Sequence, residues 1–244
     1  VKIEDLFQYT FKALRKKIES EVRKGIDFVL PSMPMVDACR ADDFDFFQPF
    51  IDAGDLTVDQ MHHAAGRYYL GKTKSGQPIF WMIDDMFTPL DAHIGNGWIS
   101  NLLKQREHLL DYWRVQHCLF GLHLTSSITH HPSSICIVES EASAVVLSEL
   151  FPESIWMAYT TTGHLTPELF APLEGQKVII YPRTDPTQST FLFFCDLVNQ
   201  TLRHYDLDLR VDTTLEDHTT EDQKEREVDL VDFLFENSAI IHPE

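Results

Sequence analysis

No stretch of the chain reaches the ~18–20 consecutive apolar residues that a membrane-spanning helix needs, so no membrane partner is expected. The opening residues, Val1-Lys-Ile-Glu-Asp-Leu-Phe7, carry early acids and no long apolar run, unlike a secretory signal. Cysteine is scarce: Cys39, Cys118, Cys136 and Cys195 are scattered, with no C-x-x-C pair. That excludes a zinc ribbon, and no zinc is expected in this chain. Cys136 and Cys195 lie in apolar runs and read as buried thiols, which suits a reducing, cytoplasmic setting. Basic residues are outnumbered, 20 against 38 acids, for a net charge of −18. Such a charge opposes nonspecific binding to phosphate backbones. Walker A and Gly-x-Gly-x-x-Gly sequences are missing, so no small-molecule cofactor is expected. So is a Gly-x-Ser-x-Gly elbow or a Ser-His-acid pattern. Twelve histidines occur, yet none forms a convincing metal pair. His62-His63 and His130-His131 are adjacent, so their side chains diverge in regular structure. His117 and His123 fall on a turn.

What is present is an ordinary globular composition, 43% hydrophobic and 24% charged over 244 residues. One large domain or two small ones are allowed. Leu6 to Ile26 reads as a helix, because Phe7, Phe11, Leu14, Ile18 and Val22 recur every three or four residues. Pro31 to Pro34 reads as a loop. Asp42 to Ile51 and Thr57 to Ala65 read as short helices, the second with Thr57 and Gln60 in a capping box. Arg67 to Lys72 and Gln77 to Ile83 are β-rich and turn at Ser75-Gly76, which predicts a hairpin. Pro89 to Gly97 suggests a further strand and turn, and Trp98 to Asp111 reads equally as helix or loop.

From Ile135 onward the pattern changes. Strands at 135–138, 155–159, 177–181 and 207–211 alternate with helices at 141–150, near 166–171 and at 188–204. This alternation implies a mostly parallel sheet with right-handed crossovers. A polar stretch from Glu216 to Glu227 reads as solvated, and Val228 to Phe235 as an amphipathic helix. The Ser-, Thr-, His- and Pro-rich segment Thr125 to Ser133 divides the chain into residues 1–130 and 131–244. The expected fold class is therefore α/β: a mostly parallel sheet flanked by helices, preceded by a helical and β-hairpin part.

Two strands end on acids. Ile135-Cys-Ile-Val138 stops at Glu139, and Lys177-Val-Ile-Ile-Tyr181 runs through Pro182-Arg183-Thr184 to Asp185. Parallel strands deliver chemistry at their carboxyl ends, and two carboxylates there suit a hard cation such as magnesium. Each acid also has a plainer reading. Glu139 could favour the amino terminus of the following helix, and Asp185 lies in Thr-Asp-Pro-Thr, good turn chemistry. Glu141 reads as a solvated first-turn residue. Gly163, in Thr160-Thr-Thr-Gly-His164, reads as a turn glycine or as a pocket border. Trp81, Trp98, Trp113 and Trp156 read as core, since no basic groove accompanies them.

Ile137-Val-Glu139 followed by Glu141, Ala142 and Ala144 resembles the first motif of the Toprim domain of primases and topoisomerases. Val178 to Pro182 resembles the strand of its second motif, which continues Asp-x-Asp. Here Arg183 stands where the first aspartate belongs and Asp185 where the second belongs, and Ser140 replaces the motif glycine. Upstream, Pro78 to Asp84 and Cys118 to Leu124 resemble segments that precede Toprim in primases. Tyr69 to Gly71, Ile79 to Asp84, Cys118 to Leu124, Ile137 to Glu141 and Asp229 to Leu234 together resemble Toprim-like proteins of Bacteroidetes mobile elements. The resemblance implies a general acid or base at Glu139 and a magnesium ligand at Asp185. Arg183, Ser140, Ser143 and Gly163 are the candidate phosphate-contacting or pocket-lining residues beside them. It implies DNA or replication proteins of a mobile element as partners.

Arg183 sets that expectation against itself. A unit charge ~6 Å from another is worth about 3 kcal/mol at an effective dielectric near 20. Exchanging an aspartate for an arginine beside a divalent ion removes one such attraction, doubled, and adds a repulsion of the same size. Arg183 can instead grip a phosphate or pair with Glu139. The sequence therefore favours a degenerate primase-type protein with weak or no catalysis. Two other readings stay open. One is an active magnesium-dependent nucleotidyl-transfer or nicking enzyme that draws a ligand from Asp84, Glu168 or Asp212. The other is an acidic protein-interaction module for a basic partner.

Overall fold

The computed structural model describes residues 31–95, 97–101, 117–127 and 134–241, with side chains to residue 237. The helix expected at Leu6 to Ile26, most of Trp98 to Asp111 and most of the boundary segment lie outside these residues, as do Trp113, His130 and His131. The chain divides into two compact units, Val1–Ser126 and Ser127–Glu244.

In the first unit, α1 (Met33–Ala38) replaces the expected loop. Pro34 sits in its first turn, where a missing N–H costs nothing. A 3-10 turn at Asp45–Phe47 leads into α2 (Gln48–Ala53), which ends on Gly54 at φ 83°, a left-handed stop. Helix α3 (Val58–Arg67) starts with the expected Thr57–Gln60 capping box. It continues through Arg67, and Tyr69 then takes φ 56°. The strand expected from Arg67 is therefore cut to β1 (Gly71–Lys72). Strands β2 (Pro78–Ile83), β3 (Pro89–Ile94) and β4 (Gly97–Trp98) complete an antiparallel sheet in the order β1-β2-β3-β4. The predicted hairpin joins β1 to β2, with Gly76 at φ 85° in the turn. Ile79, Trp81, Met82 and Ile83 are fully buried on β2, and Tyr68 stacks on Phe120 beneath them.

The second unit holds a four-stranded parallel sheet in the order β6-β5-β7-β8. Its strands are β5 (Ile135–Val138), β6 (Ile155–Ala158), β7 (Lys177–Ile180) and β8 (Asp208–Val211). Every residue of β5 and β6 is buried, as expected for strands covered on both faces. Helix α4 (Glu141–Leu150) crosses from β5 to β6, and α5 (Ser189–Thr201) from β7 to β8. The helix expected near 166–171 is a 3-10 stretch, Pro167–Leu173, with Pro172 inside it. The chain is thus mixed α/β, one antiparallel and one parallel sheet.

The polar stretch after β8 is largely exposed, as read from sequence, and it is helical: it forms α6 (Thr214–His218) and α7 (Glu221–Glu225), with Leu215 and Gln223 buried. A second capping box, Thr220 with Gln223, starts α7. Helix α8 (Leu230–Ile241) follows. Cys136 is buried as expected, but Cys195 is half-buried. Trp81, Trp98 and Trp156 are core residues. No described helix is long and apolar enough to cross a membrane.

Gly71 shows how closely the first unit packs. A Cβ placed there would lie 2.9 Å from the Cys39 carbonyl oxygen and 3.3 Å from Trp81 Nε1. Lys72 N donates to that same Cys39 oxygen at 2.9 Å, so the backbones cannot part cheaply. Gly71→Ala is expected to destabilise the protein by about 1–3 kcal/mol through overpacking, read as a lower urea midpoint with an unchanged slope.

Candidate functional site

The parallel sheet brings the ends of β5, β6 and β7 to one edge, and a polar cluster forms there. Glu139 follows the last residue of β5 and is half-buried. It does not cap α4. Ser140 is the N-cap and accepts a hydrogen bond from Ser143 N at 3.3 Å. The Glu139 carboxylate instead pairs with Arg183 from the end of β7, Nε to Oε2 at 3.1 Å. The same guanidinium pairs through Nη1 with Glu227 Oε2 at 2.9 Å. Ser143 Oγ donates to Asp229 Oδ2. Asp229 in turn accepts from Asp232 N at 2.9 Å and so caps α8.

These contacts set two carboxylates, Glu139 and Glu227, on one guanidinium, with Asp229 held by Ser143 close enough to act on Glu139. Burial pushes the Glu139 carboxyl above its ordinary pKa. Arg183 pulls it down, and the Asp229 and Glu227 charges push it up further. Tyr159, at the end of β6, is also buried, and its phenol is raised well above the ordinary value by burial and by the Glu139 charge. Its hydroxyl interacts with that carboxylate, which adds to the rise of the phenol and lowers the Glu139 carboxyl in turn.

Two strained residues flank the cluster. Thr160 has φ 63° and Glu227 φ 55°. A β-branched threonine is rare in that region, and such strain persists where the surroundings hold it. Thr160 N donates to Glu139 O at 2.9 Å, and its Oγ1 donates to Glu141 Oε1 at 2.7 Å. Glu141 is therefore buried and hydrogen-bonded, not the solvated first-turn residue read from sequence.

Asp185 serves another purpose. Its carboxylate accepts from Thr187 N (2.9 Å), Thr187 Oγ1 (2.6 Å), Ser189 N (3.0 Å), Ser189 Oγ (3.1 Å) and Thr190 N (2.8 Å). It closes the turn and feeds the amino terminus of α5. These hydrogen bonds outweigh its burial and hold its pKa well below the usual carboxylate range. Thr184, just before it, is fully buried and donates from N to Val228 O at 3.0 Å.

As placed, the pair Glu139 and Asp185 does not fit a magnesium ion. Glu139 faces a cation of the chain itself, and both oxygens of Asp185 already accept hydrogen bonds. Among the described residues no three His, Cys, Asp or Glu side chains are grouped to hold a metal. The other candidate ligands have their own places. Asp84 Oδ1 accepts from Met86 N and Thr88 N in the first unit. Asp212 Oδ1 accepts from Thr214 N, and Glu168 lies in the first turn of the 3-10 stretch. Gly163 is exposed in a 3-10 turn, where its N–H donates to Thr161 Oγ1 at 3.4 Å, as its turn reading expects. In the first unit, His123 is buried, meets the Arg67 carbonyl at 3.0 Å, and is lowered to a pKa of about 4 by burial.

Sequence reasoning found Glu139, Arg183 and Ser143 and missed Tyr159, Glu227 and Asp229. Asp229 did stand in the motif Asp229 to Leu234. Nothing local marks Tyr159, and Glu227 was hidden in a stretch that reads as solvated.

A family model described as a domain of unknown function (DUF6371) matches residues 90–184, less than half of the chain. The matched span contains Glu139, Ser143, Tyr159 and Arg183 and stops one residue before Asp185. No curated protein matches the chain.

Two outcomes follow from the opposed titration of the two acids. Asp185 has a depressed pKa, so its stabilisation is complete above the unfolded value near ~4 and is lost as pH falls below it. Asp185→Ala should lose about 1–2 kcal/mol at pH 7 and show a flatter acid limb when urea unfolding is repeated across pH. Glu139 has a raised pKa, so its contribution is complete below the unfolded value near ~4.3 and declines as pH rises through the folded one. Glu139→Gln should therefore melt at or above the wild-type temperature at neutral pH, in calorimetric scans from pH 4 to 8.

Proposed function

We propose that this chain is a primase-type, Toprim-like protein that assists DNA replication or mobilisation of a mobile element, with weak or no catalysis of its own. The observation that carries this reading is Arg183. Its guanidinium lies between Glu139 and Glu227, at the position where the resemblance calls for a metal-binding aspartate. Further support comes from the four-stranded parallel sheet and from Glu139 at the end of its interior strand. A nucleotidyl-transfer centre needs a cation to neutralise developing phosphate charge. Here a fixed side chain absorbs the charge of the acid that would serve it. What the residues do is hold Glu139 ionically, keep Ser143 on Asp229, and fasten Thr184 to the segment before α8.

The partner follows from charge. At −18, the protein repels bare phosphate backbones, so its access to DNA runs through replication proteins with basic faces. That charge equally favours a second reading, a purely acidic interaction module, which differs in requiring no nucleic acid in the complex.

Primer-synthesis and nicking assays with magnesium and with manganese test the proposal. The wild type and Glu139→Gln are expected to give the same background of product. Product that depends on metal and disappears in Glu139→Gln would replace this reading with that of an active enzyme. Capture of a basic replication protein should weaken with added salt, and DNA carried along in that complex separates the main reading from the interaction module.

A further inference from the structure

We propose that α7, α8 and the corner between them, residues 226–229, form a strap latched over the carboxyl edge of the parallel sheet, and that this strap lifts as one piece while the sheet stays folded. Such a strap is independent of the functional reading above. In the contacts that latch it, the sheet side donates and the strap accepts. Arg183 Nη1 pairs with Glu227 Oε2 at 2.9 Å. Thr184 N and Oγ1 donate to Val228 O at 3.0 and 3.3 Å. Ser143 Oγ donates to Asp229 Oδ2. None of these contacts belongs to the ladders of the sheet, so breaking them leaves the pairing of β5, β6, β7 and β8 intact. The carboxyl ends of parallel strands are where such folds take ligands, and here a segment of the chain itself lies over them.

The two helices of the strap are tied to each other. Arg226 Nη1 and Nη2 meet Glu236 Oε1 and Oε2 at 2.6 and 2.9 Å, and its Nε meets Asp222 Oδ2 at 3.1 Å. Gln223 Nε2 donates to Glu236 Oε2 at 2.9 Å, and Val228 N donates back to Gln223 O at 3.2 Å. Only Thr219 and Thr220 link α7 to α6, which Leu215 holds in place. The latch is weak where it meets water. The side chains of Arg183 and Glu227 are 37% and 47% exposed, and ion pairs at such exposure hold little. Arg183 is also shared with Glu139 at 3.1 Å. Glu227 holds φ 55°, a conformation disfavoured for a residue with a side chain, and lifting would release it. Burial of Val228, Leu230 and Val231 keeps the closed strap the resting state.

Native-state hydrogen exchange, followed by NMR on the full chain in low urea, tests the strap through two amides close in sequence. Tyr181 N donates to Ile137 O inside the sheet at 2.8 Å, whereas Thr184 N donates to Val228 O of the strap. After correction for intrinsic rates, Thr184 should exchange at least about tenfold faster than Tyr181. Val228, bonded within the strap, should stay slower than Thr184. Glu227→Gln and Ser143→Ala should each speed Thr184 about twofold to fivefold and leave Tyr181 unchanged. The proposal is overturned if Thr184 and Tyr181 exchange together in the wild type, or if Val228 exchanges as fast as Thr184. It is equally overturned if both variants leave Thr184 unchanged or speed Tyr181 to the same degree. The wild-type comparison needs no substitution, so it decides even where a variant fails to fold.

Discussion

Strand β5 is paired on both edges, to β6 through four residue pairs and to β7 through three, and all four of its side chains are buried. Its backbone groups are spent inside the sheet, and its apolar side chains, each worth about 1.5–3 kcal/mol when fully buried, leave it no alternative position. Parallel pairing then sends every strand end to the same edge. Glu139, Tyr159 and Arg183 reach that edge because the strands are in register, Ile137 opposite Met157 and Ile180. The cluster depends on that register, since a shift of one residue would turn each side chain to the other face.

The edge is closed electrostatically by a segment from far along the chain. Thr184 receives the backbone before α8, Ser143 holds Asp229 from a position 86 residues away, and Arg183 holds Glu227. Single exposed ion pairs contribute little, about 0–1 kcal/mol. A guanidinium shared by two acids at a half-buried edge is a network, and it sets geometry as well as energy. The left-handed backbone at Glu227 belongs to it, because that conformation carries the carboxylate to Arg183.

Legibility varied by the range of the interaction. The Thr57 capping box, the hairpin at Ser75-Gly76 and the alternation of strands and helices after Ile135 are local patterns, and they could be read directly. Glu139 at a strand end was legible for the same reason. Asp185 was legible as turn chemistry in Thr-Asp-Pro-Thr, but sequence could not choose between that and a metal ligand, because a carboxylate at a strand end looks the same whether it meets an ion or the N–H groups of the next turn. Glu141 was misjudged since a first-turn acid is normally solvated, and here Thr160 from another strand covers it. The segment Glu216 to Glu227 is mostly exposed, as its polar composition suggests; its two short helices, docked through Leu215 just before it and Gln223 within it, were the part not read.

Residue order alone therefore specified many of the elements, the two-part division of character along the chain, and the placement of Glu139 and Arg183 at or just past strand ends. Those are consequences of periodicity, capping chemistry and charge, which act between near neighbours. Folding in three dimensions settled which acids surround Arg183, that Asp185 caps a helix, and that Tyr159 lies buried beside Glu139. These arise from strand order and register, and no short window of sequence contains both members of such a contact.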